Sequence, residues 1–183
     1  MSTKREVQYL LGYIGGGLLV LGLIPLGLWR TSRAFDHRIG RQLIPATGLR
    51  VVLASALSLF GMLFGVWSIV VQKTIGKGGP LEVAGLEVSP KTQNLVVTGP
   101  YKYTRNPMLF GTCVFYYGMA VYLNSPSAAV LVTLFMTFML SFVKKVEEPR
   151  LLKDFGADYE DYRRRVSMFV PWLHKRRPNH VSS

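Results

Sequence analysis

Hydropathy along this chain alternates between long uncharged runs and short basic or polar stretches. Residues 9–29 and 51–71 are each 21 residues without a charged side chain. At about 1.5 Å of rise per residue, either run covers the roughly 30 Å hydrocarbon core of a bilayer, so each predicts a transmembrane helix. A third block, 106–143, is uncharged throughout and is divided by Asn124-Ser125-Pro126-Ser127. That tetrapeptide reads as a tight turn with a serine available to cap the following helix. The block therefore predicts a hairpin of two short spans, 107–123 and 128–143. Beyond it, over 147–166, Leu151, Leu152, Phe155, Tyr159, Tyr162 and Val166 recur at helical spacing, and Glu160 with Arg164 and Asp161 with Arg165 form four-residue pairs. This predicts an amphipathic helix that lies on the membrane or covers a site. The expected fold class is all-α: a polytopic transmembrane helical bundle of four spans, or five if a further embedded segment lies within 30–50. The whole chain, 1–183, reads as a single integral membrane domain.

Trp29 closes the first span as an interfacial aromatic, and Arg30, Arg33, Arg38 and Arg41 follow it at headgroup level, so 30–50 is expected to run along the membrane surface. The first apolar run is about twice the length of a signal-peptide core and lacks a small-residue cleavage pattern; it is expected to remain as an anchor. Gly12 with Gly16 and Gly61 with Gly65 repeat the small-xxx-small spacing that lets membrane helices approach closely. Composition sharpens the picture. The chain is 49% hydrophobic yet carries a formal charge of +12, with the cations gathered at the ends of apolar runs. That distribution suits a membrane surface, and with no recognition motif it argues against nucleic acid. The single Cys113 lies inside a span and reads as a packing residue, while His37, His174 and His180 are scattered without metal-ligand spacing. No strand-Gly-x-Gly-x-x-Gly-helix unit is present, and Gly76-Lys77-Gly78-Gly79 lacks the spacing of a triphosphate-binding loop.

The chemistry concentrates where the third apolar block begins. A Gly/Pro-punctuated loop over 76–106 ends in QNLVVTGPYKYTRNPMLFG, and Arg105 is the last charge before hydrocarbon. Pro107 suits the first turn of a helix, whose unpaired N–H groups then face back toward the loop and can hold a polar ligand. A hairpin of two spans returns Lys144, Lys145, Glu147 and Glu148 to the level of Arg105, so two distant motifs meet at one membrane face.

This loop, followed by EEPRLLKDFGADYEDYRRRV and a proline, resembles the C-terminal half of the isoprenylcysteine carboxyl methyltransferase family, which is itself similar to the phospholipid N-methyltransferases. The resemblance covers roughly 76–171. It implies a multi-span membrane enzyme that moves a methyl group from S-adenosylmethionine to a lipid-like or prenylated acceptor. Carried over residue by residue, it places cofactor contacts on Gln93, Asn94, Leu95, Val96, Tyr101, Asn106, Pro107, Met108, Leu109 and Glu147. The glycine-bearing helix at Gly61 and Gly65 corresponds to one implicated in cofactor binding in phospholipid methyltransferases, beside its reading as a packing motif. Two departures bear on the acceptor. Arg105-Asn106-Pro107-Met108-Leu109 replaces the common Arg-His-Pro-x-Tyr and is closer to phospholipid methyltransferases, and Val143 stands where prenylcysteine enzymes place an arginine for the substrate carboxylate.

Physically the set is coherent: Glu147 supplies negative charge for a sulfonium, and the helix start at Pro107 supplies donors. For an amine acceptor, Glu148 is the candidate base and Arg105 the group that orients a phosphate or carboxylate. No metal is expected. The Lys/Arg distribution favours a cytoplasmic location for the 72–105 loop and the C-terminus, in a bacterial inner membrane or the endoplasmic reticulum. Two other readings fit parts of the pattern: an NADPH-binding membrane sterol reductase, which shares a similar arginine loop and tyrosine-rich tail but is usually longer, and a non-catalytic protein on the same scaffold.

Overall fold

The computed structural model describes residues 2–36, 40, 42–77 and 92–172, and all regular structure among them is helical. The first helix is a long rod built from α1 (Ser2–Leu18), a π-helical turn (Leu19–Leu23), α2 (Ile24–Thr31) and a second π turn (Ser32–Asp36). α3 (Thr47–Val71) continues through a π turn (Gln72–Gly76) and stops at Lys77, whose φ of 52° turns the chain out of the helix. α4 (Pro107–Tyr122) and α5 (Pro126–Phe142) form the hairpin, and a π turn (Val143–Glu147) joins α5 to α6 (Glu148–Arg165). Among the described residues, three helical stretches are long and apolar enough to cross a membrane: Gly12–Asp36, Thr47–Gly76 and Pro126–Arg165. In each, most of the apolar window is exposed rather than packed inside the protein, as a lipid-facing surface requires. This is an integral membrane architecture.

The expected surface linker at 30–50 is corrected at its start, because the first helix does not end at Trp29 but runs on to Asp36. A charge ends the hydrocarbon without ending a helix. The Arg33 guanidinium stacks 5.0 Å from the Trp29 ring, so the extra turn is held by a cation–π contact at the interface. Arg38, Arg41 and the three histidines lie outside the described residues, as do most of the 76–106 loop before Thr92 and the basic tail after Trp172.

α3 and α4 pack backbone to backbone. A Cβ added to Gly111 would lie 2.7 Å from both the Gly61 carbonyl oxygen and the Gly65 nitrogen, which explains the glycine spacing as a close crossing. On its other side α4 contributes Tyr116 and Ala120 to a core with Leu28, Ala128 and Val132. The buried Tyr116 hydroxyl donates to the Val20 carbonyl in the first π turn at 3.1 Å, so the bulged backbone finds its partner on α4.

The far end of the hairpin is stapled to the first helix. Asn124 takes a positive φ of 53°, and its side-chain oxygen accepts from the Leu43 and Ile44 amides, both at 2.9 Å. Ser125 caps α5 by accepting from the Ala128 amide at 2.9 Å and donates its hydroxyl to Asp36, which also accepts from the Ser127 amide at 3.1 Å. These bonds fix the rod against α4 and α5, and so fix the opposite end, where the loop lies.

Candidate active site

At that end a cavity of about 320 Å³ opens between the first helix, α4, α5, α6 and the loop. It falls at the lower end of the roughly 300–1,000 Å³ common for small-molecule sites. The loop reaches it because Gln93 and Asn94 are tied to the end of α3. Their amides donate to the Gly76 carbonyl at 2.8 and 3.3 Å, and the Asn94 side-chain amide donates to the Ile75 carbonyl at 2.9 Å. From this anchor Leu95 and Val96 turn inward to the cavity wall. A short 3₁₀ turn (Gly99–Lys102) follows, opened by Gly99 at φ 60°, and buries Tyr101.

The C-terminal segment clamps the loop from the other side. Thr104 and Ser167 form an isolated parallel bridge, with the Arg105 amide donating to the Ser167 carbonyl at 2.9 Å. The Asn106 side chain donates to the Met168 carbonyl at 2.8 Å, and the Trp172 amide to the Tyr103 carbonyl at 3.0 Å. Phe110 meets Phe169 edge to face, with centroids 5.5 Å apart. The Tyr162 hydroxyl, buried, donates to the Tyr101 carbonyl at 2.7 Å. Loop and tail therefore form one unit, and α6 is held across the cavity. Gly156, at φ 53° and ψ −128°, kinks α6, so that Leu151 and Phe155 before the bend and Tyr159 and Tyr162 after it all border the same cavity.

Arg105 is the polar centre. Its Nη1 forms an ion pair with Glu148 and donates to the Tyr159 hydroxyl at 3.4 Å. Both partners of the ion pair are about 10% exposed at the side chain, so water screens them little. The Nε–H of Arg105 is buried and has no partner among the described residues. Glu147, one residue from Glu148, faces differently. It lines the cavity, half-buried, and no hydrogen bond or ion pair engages its carboxylate among the described residues. Burial pushes the Tyr101 hydroxyl pKa above its ordinary value, and the negative charge of the nearby Glu147 adds to that shift.

Of the residues expected from the sequence, Leu95, Val96, Tyr101, Arg105, Asn106, Pro107, Met108, Leu109 and Glu147 border the cavity. Gln93, Asn94 and Glu148 do not; the first two anchor the loop and the third holds Arg105. Val143, where an arginine was the alternative, contributes an apolar patch to the wall. Sequence reasoning missed Val20, Gln72, Phe135 and Met139 as wall residues. They sit on helices whose apolar sides carry no sign of which positions face a cavity and which face lipid. No group of three or more His, Cys, Asp or Glu side chains that could hold a metal occurs among the described residues.

Known proteins resemble this chain in sequence. The chain is 33% identical over 67 residues to a phosphatidylethanolamine N-methyltransferase of Yarrowia lipolytica, a match covering 37% of this chain and 7% of that protein. It is 35% identical over 77 residues to methanethiol S-methyltransferase 2 of Bradyrhizobium diazoefficiens, covering 42% of this chain and 29% of that one. The aligned region thus spans well under half the length of either relative. No solved structure matches. The phospholipid methyltransferase profile matches residues 49–158, from the start of α3 through the kink of α6 and across most of the cavity wall. With more than half of its length matched, this chain belongs to the phospholipid methyltransferase family.

Proposed function

We propose that this protein is an S-adenosylmethionine-dependent integral membrane methyltransferase acting on a lipid-like or small amphipathic acceptor, with its cofactor side facing the cytoplasm. In this reading the helices form a single domain of four spans, α4 being the short fourth, about 24 Å at 1.5 Å per residue. The observation that carries the reading is Glu147: a half-buried carboxylate, without a protein partner among the described residues, on the wall of a largely apolar cavity beside the start of a helix. A sulfonium cofactor with an amino-acid end requires such a combination.

The residues present fit that cofactor. Glu147 would face its cationic groups, the Met108 and Leu109 amides in the first turn of α4 would supply donors for its carboxylate or ribose, and Leu95, Val96 and Leu109 would form an apolar slot. When bound, S-adenosylmethionine supplies an electrophilic methyl group for an in-line displacement. The chain's own residues position and desolvate. α6 and the loop-tail clamp cover the site from water, and Arg105, fixed by Glu148 and Tyr159, offers a rigid cation to orient the acceptor. Glu148 is the residue that holds Arg105 in place; service as a base for an amine acceptor would require it to release that contact. The cavity reaches Val20, Phe135 and Met139, inside the apolar helices, which supports approach of the acceptor sideways from the bilayer with its tail remaining in hydrocarbon. The two relatives, named for a lipid nitrogen and for a thiol sulfur, leave either acceptor class consistent with the site, and the apolar Val143 argues against a prenylcysteine carboxylate.

Titration calorimetry of the purified protein tests the reading. Saturable binding of S-adenosylmethionine or S-adenosylhomocysteine is expected, with none of NADPH; the reverse pattern would replace the methyltransferase with a reductase.

A further inference from the structure

A guanidinium presents two parallel N–H bonds along its Nε/Nη2 edge, and that edge matches the two oxygens of a carboxylate or phosphate. In Arg105 both protein contacts, to Glu148 and to Tyr159, are made by Nη1. The Nε–H is buried and unpartnered, and no hydrogen bond engages Nη2 among the described residues. Buried donors are rarely left unused, because an unpaired N–H away from water carries its full desolvation penalty. The side chain is nine-tenths buried and belongs to the cavity wall. Its orientation is enforced from the other side by the Glu148 carboxylate and the buried Tyr159, so the unspent edge is fixed in direction rather than free to swing. Glu148 balances the buried charge of Arg105 when the cavity holds no ligand.

From this geometry we infer that the Nε/Nη2 edge of Arg105 is a bidentate oxyanion site: the molecule that fills the cavity presents a phosphate or carboxylate to it. The inference deepens the methyltransferase reading and rests on it for the identity of the ligands. The oxyanion can belong to the methyl acceptor, as an anionic headgroup, or to the amino-acid end of the cofactor. Val143, in the π turn after α5, contributes no cation to the wall; Arg150 on α6 also borders the cavity, so the variants below test Arg105 itself. Tyr159 is a positioning residue here, acting through Arg105.

Two matched ligand pairs separate the sources. S-adenosylmethionine is compared with decarboxylated S-adenosylmethionine, and dodecyl phosphate with dodecanol, by titration into the detergent-purified wild type and into Arg105→Lys and Tyr159→Phe. Lysine keeps a charge for Glu148 but lacks the fork. The expected result is a preference of about tenfold or more for the anionic member of one pair in the wild type. That preference falls to under about threefold in Arg105→Lys and weakens in Tyr159→Phe, whereas a purely structural Arg105 would change all four affinities together. A first-pair preference that Arg105→Lys abolishes assigns the oxyanion to the cofactor, a second-pair preference that it abolishes assigns it to the acceptor, and a preference that survives in Arg105→Lys overturns the inference. Equal affinity within both pairs in the wild type overturns the inference even if both sulfonium compounds bind, and so leaves the methyltransferase reading standing. Failure of both sulfonium compounds to bind counts against that reading, while the dodecyl phosphate pair still decides the fork. The wild-type comparison needs no variant to fold.

Discussion

Replacing Glu148 by methionine removes the carboxylate paired with Arg105 and leaves a guanidinium about 10% exposed with, among the described residues, one tyrosine hydroxyl at 3.4 Å as its remaining side-chain partner. Stranding one member of a buried ion pair costs about 3–5 kcal/mol. For a chain of this size each kcal/mol moves Tm by about 2–4 °C, so the expected fall is roughly 6–20 °C. Arg105→Met should cost a similar amount, since Glu148 is then the stranded charge. The double variant places two apolar side chains face to face, and such replacements of whole buried pairs are often neutral or mildly stabilising. Its Tm should therefore lie well above the sum of the two single losses, with a coupling of about 2 kcal/mol or more. Thermal unfolding followed by tryptophan fluorescence at one fixed detergent concentration measures all four proteins. Strict additivity of the two losses would refute the reasoning, because it would mean the pair is solvated enough that neither member depends on the other. The double variant should also be folded yet inactive, since the Arg105 guanidinium is gone from the cavity wall.

Other consequences follow from single contacts. Gly111→Val should destabilise by about 1–3 kcal/mol or more, because its side chain meets backbone at 2.7 Å, whereas Gly65→Ala, where an added Cβ has nothing within 4 Å, should change Tm little; equal effects would contradict the crossing described. Tyr162→Phe leaves the buried Tyr101 carbonyl without its donor, costing about 1–3 kcal/mol, and should weaken cofactor binding by loosening the loop. Glu147→Gln should lower S-adenosylmethionine affinity about tenfold to a hundredfold while leaving Tm unchanged, as calorimetry and unfolding together would show. Unchanged affinity would reduce Glu147 to a helix-end charge.

The spans were legible because hydrocarbon tolerates no charge. The uncharged run at 51–71 falls inside α3, Thr47–Val71, and the turn at 124–127 falls where Ser125 caps α5. The meeting of Arg105 with the glutamates was legible too, since a hairpin must bring its ends to one level. What each glutamate does was not. Adjacent residues on a helix point about 100° apart, so Glu147 reaches the cavity and Glu148 reaches Arg105, and nothing in the letters says which is which. The continuation of the first helix to Asp36 is not legible in the sequence, because arginines mark an interface and not a helix end. The clamp of 166–172 on 101–106 was invisible for another reason: it is made chiefly by backbone hydrogen bonds, which any sequence can donate and accept. The π turns leave no periodic signature either, though one of them supplies the Val20 carbonyl that Tyr116 bonds.

The central claim, methyl transfer at the Glu147–Arg105 cavity, is tested most directly by product. The purified protein in bilayer nanodiscs is incubated with methyl-labelled S-adenosylmethionine, a total lipid extract and a small alkanethiol, and the products are identified by mass spectrometry. The account predicts label in a lipid or thiol product that is lost in Glu147→Gln and in the stable Arg105→Met/Glu148→Met double variant. Labelled product formed equally by all three proteins, or none from folded wild type with both acceptor classes present, would contradict it.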